Sequence, residues 1–120
     1  MTERVISRGE LYWLLPTESE PISHPHVVVQ DDLFNHSRVE TVIVCALTTR
    51  LALANEPGNV LLEPGEGSLP KRSVVVVSQI GSVPRARLGE RIGALSPERV
   101  EEILRGLRFQ QRAFFAVRGS

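Results

Sequence analysis

Ser23-His24-Pro25-His26-Val27-Val28-Val29-Gln30-Asp31-Asp32 is the stretch on which the predicted fold depends. It begins as a polar loop end with two histidines and runs into three consecutive valines. This pattern predicts a strand from His26 to Gln30 that is buried on both faces. Asp31 and Asp32 are typical of a helix start, and at most about one turn of helix follows them.

A second apolar segment, Glu40 to Leu47, predicts another strand that is buried on both faces. It ends in two hydroxyl side chains and a cation, Thr48, Thr49 and Arg50. If the two strands are neighbours, His24 and Thr48 border one cleft. The functional prediction depends on this arrangement.

Further strands are predicted where β-branched and aromatic runs are bounded by proline or glycine: Leu11 to Leu15, Val60 to Leu62, Ser73 to Ile80, and Leu88 to Leu95. Gly81 and Pro84 are expected to break the third of these strands at a bend or bulge. Ala52 to Gly58 is open between a turn of helix and a loop.

The C-terminal part of the chain predicts a long helix. Ser96 supplies a hydroxyl cap, Pro97 occupies the first helical position and Glu98 lies near the positive end of the dipole. The apolar residues that follow share one face at helical spacing: Val100, Ile103, Leu104, Leu107 and Phe114. Gly106 inside this helix costs about 1 kcal/mol relative to alanine, so packing must hold it in place.

Short strands followed by one helix, without βαβ alternation, predict a mainly β fold: a small, mostly antiparallel barrel or a strongly bent sheet. A chain of 120 residues is one domain's worth, so residues 1–120 are expected to form a single domain. The composition, 42% hydrophobic and 23% charged, is that of a globular protein rather than a disordered one.

Composition also predicts the compartment. The single cysteine, Cys45, excludes an internal disulfide and fits a reducing environment. The first residues lack the apolar core of a signal peptide, and no apolar run approaches the roughly 18 residues that a membrane helix needs. A cytoplasmic protein is expected.

Charge is distributed unevenly along the chain although the formal net charge is +0. Residues 1–68 carry four arginines against ten carboxylates, a net of −6, and residues 69–120 carry ten basic residues against four carboxylates, a net of +6. A protein that coats duplex DNA usually has a global basic excess, which this chain lacks. A local basic patch for a few phosphates and an ordinary solvated surface both remain open.

Six short motifs occur in an order that resembles the MazF/PemK toxins of bacterial toxin–antitoxin modules. The resemblance runs from about Arg8 to about Phe115. The motifs are Arg8-Gly9-Glu10-Leu11-Tyr12-Trp13, Ser19-Glu20, Pro25-His26-Val27-Val28-Val29-Gln30-Asp31-Asp32, Cys45-Ala46-Leu47-Thr48, Val77-Ser78-Gln79-Ile80 and Ile92-Gly93-Ala94-Leu95-Ser96.

The resemblance implies an SH3-like antiparallel barrel with a C-terminal helix, assembled as a two-fold homodimer. It implies a sequence-selective endoribonuclease that cleaves single-stranded RNA without a metal or other cofactor. It also implies a MazE-like antitoxin whose flexible acidic tail blocks the RNA site.

One departure from the family pattern concerns catalysis. The family usually has a catalytic arginine immediately before the proline that opens the second strand, and this chain has His24 there. The family's threonine or serine at the end of the third strand is present as Thr48. Its Asp–Gln pair in the fifth strand corresponds to Ser78-Gln79, and Gly81 replaces the arginine that often follows.

Metal-free RNA cleavage uses the 2′-hydroxyl of the substrate as nucleophile. The protein must remove its proton, protonate the departing 5′-oxygen and stabilise charge on the phosphate. A histidine suits proton transfer better than an arginine does, so His24 is predicted to be catalytic, with Thr48 orienting the phosphate or the 2′-hydroxyl. The other reading of His24, from the residues alone, is a loop histidine bonded to nearby backbone. Contacts to substrate are predicted for Glu20, Gln79, Ser78, Thr49 and Arg50.

A metal site is not predicted. His24 and His26 lie two residues apart, but the further ligands Asp31, Asp32 and His36 match no metal-binding spacing. Cys45 lies within an apolar strand and is expected to pack rather than react.

Two alternatives to the endoribonuclease remain. CcdB-type toxins have a similar architecture and bind DNA gyrase through their C-terminal residues, but this chain ends in Phe114-Phe115-Ala116-Val117-Arg118-Gly119-Ser120 without their terminal Trp-Gly-Ile. A family member that lost catalysis with its arginine, and retains only antitoxin or RNA binding, is the other.

Overall fold

The computed structural model describes the backbone of residues 4–119 and the side chains of residues 4–112. Within this part of the chain there are six strands: β1 (Glu10–Leu14), β2 (Pro25–Val28), β3 (Thr41–Thr48), β4 (Val60–Leu62), β5 (Ser73–Pro84) and β6 (Leu88–Ala94). Two α-helices accompany them, α1 (Asp32–Asn35) and α2 (Pro97–Gly119). Short 3-10 turns occur at Leu51–Asn55, Glu66–Ser68 and Arg85–Arg87. No helix of the described residues is both long and apolar enough to cross a membrane.

The six strands form one antiparallel sheet in the order β4-β5-β3-β2-β1-β6. The predicted mainly β fold with a C-terminal helix is therefore confirmed, and β2 and β3 are neighbours as the cleft prediction requires. The edge strands β4 and β6 do not pair with each other, so the sheet is not closed into a barrel. The 3-10 turn at Glu66–Ser68 packs against β6, where the backbones of Gly67 and Gly93 meet with no room for a Cβ.

Strand β5 differs from its prediction because it does not end at Ile80. It continues through Gly81, which pairs with Val44, and ends at Pro84. Pro84 is tolerated because β4 pairs only with Ser73–Val75, which leaves the far half of β5 at an edge. The bulge lies earlier than expected: one residue of β3, Ala46, faces residues 76–79 of β5. The bend therefore falls where the strand changes from buried to exposed residues.

Two buried apolar clusters lie on opposite faces of the sheet, because alternate residues of each strand point to opposite sides. The first contains Ile103 and Leu107 of α2, with Val100 and Leu104 partly buried against it. The second contains Tyr12, Val28 and Val44, among others. The predicted apolar face of α2 is confirmed for these helix residues, and Phe114 lies outside the described side chains.

Helix α2 begins and packs as the sequence indicates. The hydroxyl of Ser96 accepts a hydrogen bond from the N–H of Arg99 at 3.2 Å. Gly106 faces the backbone of Gly58, whose carbonyl oxygen a Cβ at position 106 would overlap. A close backbone approach thus accounts for glycine in the middle of the helix. The predicted ambiguity at Ala52 to Gly58 resolves into the 3-10 turn Leu51–Asn55.

The motif residues around β1 and α1 support the fold rather than the cleft. Asp32 accepts hydrogen bonds from the N–H of Arg8 at 2.7 Å and from the amide of Asn35 at 2.9 Å. The buried Asn35 and Gln30 bond reciprocally: Asn35 donates to the carbonyl of Gln30, and the Gln30 amide donates to Asn35 Oδ1. These contacts tie the end of β2 to the N-terminal segment.

The uneven charge of the chain is partly neutralised by folding. Three arginines of the basic C-terminal half pair with carboxylates of the acidic half: Arg72 with Glu63 at 2.8 Å, Arg91 with Glu10 at 2.7 Å, and Arg99 with Glu66 at 2.8 Å. These arginines serve intramolecular ion pairs, so sequence charge alone overstates the basic surface that is open to phosphates.

Candidate active site

A cleft of about 360 Å³ opens where β2, β3 and the bulge of β5 lie side by side. His26 of β2 pairs with Ala46 of β3, and paired residues point to the same face of the sheet. Ala46 also faces the bulge that contains Gln79. The residues that line the cleft are Glu20, His24, His26, Ala46, Leu47, Thr48, Arg50, Leu53 and Gln79. The cleft thus brings together His24, Thr48, Glu20, Gln79 and Arg50, which the sequence selected from separate segments.

The backbone of His24 is fixed, whereas its side chain is exposed. Its carbonyl oxygen accepts the N–H of Leu14 at 3.1 Å and the Nδ1–H of His26 at 3.0 Å. Within the described residues, the imidazole of His24 has no hydrogen-bond partner. The His24 ring is therefore not bonded to nearby backbone, as the other interpretation of this residue requires. It is free to meet a ligand in the cleft.

The end of β3 places a hydroxyl and a cation in the cleft. Thr48 is half-buried, and its oxygen accepts the N–H of Arg50 at 3.2 Å. Because this bond uses an oxygen lone pair, the hydroxyl hydrogen remains available to donate to a ligand. Arg50 is exposed at the start of the 3-10 turn, and a guanidinium there attracts anions.

Glu20 enters the cleft from the loop between β1 and β2. A turn closes the loop tip, in which Thr17 N–H donates to the carbonyl of Glu20 at 2.8 Å and Glu20 N–H donates to the Thr17 hydroxyl at 3.1 Å. At the base of the loop, Arg87 donates from Nε and Nη2 to the carbonyl of Leu15 at 3.1 and 2.9 Å. These contacts hold the loop beside the cleft.

Gln79 is exposed within the bulge of β5, where its amide can offer both a donor and an acceptor. Ser78 and Thr49 are the two predicted substrate-contact residues that do not line the cleft, although each is exposed and adjoins a lining residue. Their contact with substrate stays a prediction.

His26 is a cleft residue that the sequence analysis considered only as half of a metal pair. It is half-buried, and its Nδ1 must carry a proton because the carbonyl oxygen of His24 can only accept. Burial lowers the pKa of His26 below its ordinary 6.5, although the bond to the His24 carbonyl acts in the opposite direction. The signal that could have found it is the two-residue spacing from His24, which puts both histidines on one face of an extended segment.

The described side chains form neither a metal site nor a reactive thiol. They contain no group of three or more His, Cys, Asp and Glu residues arranged to hold a metal ion. Cys45 is buried in the first apolar cluster, and burial raises the pKa of its thiol to about 12. A thiol in this state packs as a small apolar side chain.

Comparison with known proteins places the chain in a family. A family model described as "PemK-like, MazF-like toxin of type II toxin–antitoxin system" matches residues 7–110. The chain belongs to the PemK/MazF family of toxins. The resemblance inferred from the six motifs is thereby confirmed.

Relatives with curated names agree with this assignment. The chain is 41% identical over 108 residues to endoribonuclease MazF2 of Mycobacterium bovis and, equally, to endoribonuclease MazF6 of Mycobacterium tuberculosis. In both cases the match covers 87% of this chain and 95% of the relative. These findings support the endoribonuclease prediction and not the gyrase-binding alternative.

Solved structures share the fold. An endoribonuclease in complex with its cognate antitoxin from a mycobacterial species superimposes with a TM-score of 0.72 at 20% identity, covering 87% of this chain and 92% of that one. A MazE–MazF complex from Deinococcus radiodurans gives a TM-score of 0.70 at 21% identity, with coverages of 90% and 96%. Similarity at this level of identity concerns the architecture.

Proposed function

We infer that this chain is an endoribonuclease toxin of the MazF type, which cleaves single-stranded RNA at selected sequences without a metal ion. The observation that carries this proposal is the cleft in which His24, just before β2, meets Thr48, at the end of β3, and Arg50, at the start of the following turn. Family membership supplies the reaction class, and the residues of the cleft match the needs of that reaction.

The roles in this proposal follow from the position of each side chain. The exposed imidazole of His24 takes part in proton transfer in the cleavage step. The hydroxyl of Thr48 donates to a phosphate oxygen and holds the phosphate in line. The guanidinium of Arg50 stabilises negative charge on the phosphate. Glu20 and Gln79 offer polar groups to the edges of the flanking bases.

Arg50 supplies the permanent positive charge that is lost at position 24, where histidine replaces the family arginine. An imidazole is positively charged only while it carries its second proton, whereas a guanidinium is charged at any working pH. Because His24 and Arg50 line the same cleft, proton transfer and charge stabilisation are divided between two side chains. The replacement at position 24 is thus compatible with activity, and a degenerate enzyme is the less favoured alternative.

The proposal extends to partners and compartment. The mycobacterial and Deinococcus relatives whose structures hold an antitoxin support a MazE-like antitoxin for this chain as well. A homodimer and a cytoplasmic location are part of the same proposal. Light scattering of the purified protein, alone and with the product of the adjacent small open reading frame, tests the dimer and the toxin–antitoxin complex.

Incubation of the purified protein with a long single-stranded RNA in EDTA tests the activity. We expect discrete fragments, and a loss of at least about 10²-fold in rate for His24→Ala and for Thr48→Ala. His36→Ala and Thr41→Ala are matched controls, since His36 and the exposed Thr41 lie outside the cleft.

Three outcomes decide between the readings. Fragments that His24→Ala and Thr48→Ala no longer produce, but that both controls do, support the proposal. Cutting that persists unchanged in both cleft variants indicates a contaminating nuclease and defeats it. Activity that is absent in the natural chain and present in His24→Arg identifies a degenerate enzyme.

A further inference from the structure

The cleft contains a second histidine, His26, to which neither the family pattern nor the sequence analysis gives a catalytic role. RNA cleavage by the 2′-hydroxyl needs a group that accepts a proton and another that donates one. A single histidine would have to perform both tasks within one turnover. The two imidazoles, of His24 and His26, provide two separate groups at the same place.

The geometry of His26 fixes which of its nitrogens can act. Its Nδ1–H donates to the carbonyl oxygen of His24 at 3.0 Å, so the neutral ring is held as the tautomer with an unprotonated Nε2. That carbonyl is anchored in turn by the N–H of Leu14 at 3.1 Å. Since His26 lines the cleft, the lone pair of Nε2 is its remaining polar function there.

We propose that His26 is the general base of the cleavage reaction and His24 the general acid. This inference rests on the proposed function. Nε2 of His26 takes the proton of the 2′-hydroxyl while the O2′–P bond forms, and the P–O5′ bond breaks as protonated His24 gives its proton to O5′. The products are a 2′,3′-cyclic phosphate and a 5′-hydroxyl. Proton exchange with solvent restores both rings, so the step needs no co-reactant.

The surroundings of His26 favour a neutral ring before reaction. Burial is the largest cause of its lowered pKa, and the charges of His24 and Arg87 act in the same direction. Glu20 and the bond to the His24 carbonyl act against them and are outweighed. Tyr12 of β1 is the partner of His26 of β2. It stays protonated because burial and Glu10 raise its pKa to about 12.

The sign of the pH dependence follows from this pKa. A base must be neutral to accept a proton, and a lowered pKa keeps His26 neutral to more acidic pH. As pH rises, kcat/KM is therefore expected to increase to a plateau through a midpoint below about 6.5, the ordinary value for histidine.

Two substitutions separate catalysis from support of the loop. In His26→Asn the side-chain amide N–H takes the place of Nδ1–H and can still donate to the His24 carbonyl, but no group replaces Nε2. In His26→Gln the polar end reaches toward the Nε2 position without an equivalent base. His36→Asn is the matched control, because His36 lies outside the cleft at the end of α1.

Single-turnover cleavage of an RNA that the natural chain cuts, measured in EDTA from pH 5 to 8, tests the inference. We expect His26→Asn to lower the rate by about 10²–10⁴-fold and to lose the rising limb of the pH profile. Its affinity for the uncleavable 2′-deoxy analogue should change by less than about threefold. His36→Asn should match the natural chain in rate and profile.

The outcomes are distinguishable from failure of the proposed function. A natural chain that cuts RNA and a His26→Asn variant that cuts at a similar rate, with the rising limb intact, overturn the base assignment and leave the endoribonuclease in place. A rate that falls only because affinity for the 2′-deoxy analogue falls shows a binding role and likewise overturns it. A natural chain that cuts no RNA overturns both proposals.

Discussion

Replacing Gly106 by alanine in helix α2 has two opposite effects on the free energy of unfolding. Alanine is favoured over glycine in a helix interior by about 1 kcal/mol. The added Cβ, however, would overlap the carbonyl oxygen of Gly58, and backbone atoms cannot move aside as the end of a side chain can. Overpacking of this kind costs about 1–3 kcal/mol and occasionally more. Because the overlapped atoms belong to the backbone, we expect a steric cost of about 2–3 kcal/mol, which exceeds the propensity gain and gives a net destabilisation of about 1–2 kcal/mol.

Urea unfolding followed by circular dichroism measures this difference. Natural chain and variant are compared at one protein concentration, because any self-association would shift apparent stability. The urea midpoint of Gly106→Ala should fall without a change in slope, and its Tm should fall by roughly 3–10 °C. Gly81→Ala is the matched control, since no heavy atom lies within 4 Å of a Cβ at that position. Its stability should be unchanged or slightly higher.

A stabilised Gly106→Ala variant would refute the packing argument. Stabilisation by about 1 kcal/mol would mean that helix propensity alone decides this position. The close approach of α2 to the turn at Gly58 would then play no part in holding the helix on the sheet.

Three further predictions concern single side chains. Burial raises the pKa of the Cys45 thiol to about 12, so the thiol should resist iodoacetamide at pH 8 in the folded protein. It should react within minutes in 6 M guanidinium. Labelling of the native protein as fast as the unfolded one would contradict the burial of Cys45. Burial raises the pKa of Asp32, but hydrogen bonds from Asn35 and from the N–H of Arg8 lower it by more, so the pKa is lowered overall. The ionised carboxylate therefore stabilises the fold at neutral pH, and this stabilisation is lost as pH falls through the folded-state pKa. Asp32→Asn should therefore be less stable than the natural chain at pH 7, with a difference that shrinks toward pH 2 in parallel urea titrations; a constant difference would exclude this linkage. Arg50→Gln should lower kcat/KM for RNA about 10–100-fold through loss of transition-state charge stabilisation, with Arg50→Lys in between, whereas equal activity of all three proteins would remove Arg50 from the mechanism.

The sequence predicted the strands well because each is a run of β-branched residues between clear turn signals. Val27 to Val29 and Val74 to Val77 left little choice, and Ser96-Pro97 marked the start of α2. The position of the bulge in β5 was not predictable in the same way. It depends on pairing with Ala46 of β3, a long-range contact that a local pattern of glycine and proline does not encode.

The candidate site was predicted in part for a related reason. His24 and Thr48 were predicted to border one cleft on the condition that β2 and β3 are neighbours, and they are. The family pattern singles out position 24, where the usual arginine is missing, and gives position 26 no role. The importance of His26 depends on a side-chain hydrogen bond to a backbone carbonyl, which no sequence spacing reveals. Gly106 is similar, since its partner Gly58 is far away in the sequence.

Metal-free cleavage of RNA through its own 2′-hydroxyl, in the cleft of His24, His26 and Thr48, predicts which chemical groups end the fragments. Its most direct test uses an RNA that the protein cuts once, and a second copy with a single 2′-deoxy nucleotide at the cut position, both incubated in EDTA. Mass spectrometry of the fragments should show 2′,3′-cyclic phosphate and 5′-hydroxyl ends from the first RNA and no cut at that position in the second. Fragments with 3′-hydroxyl and 5′-phosphate ends, or cutting of the deoxy-substituted RNA, would contradict the mechanism.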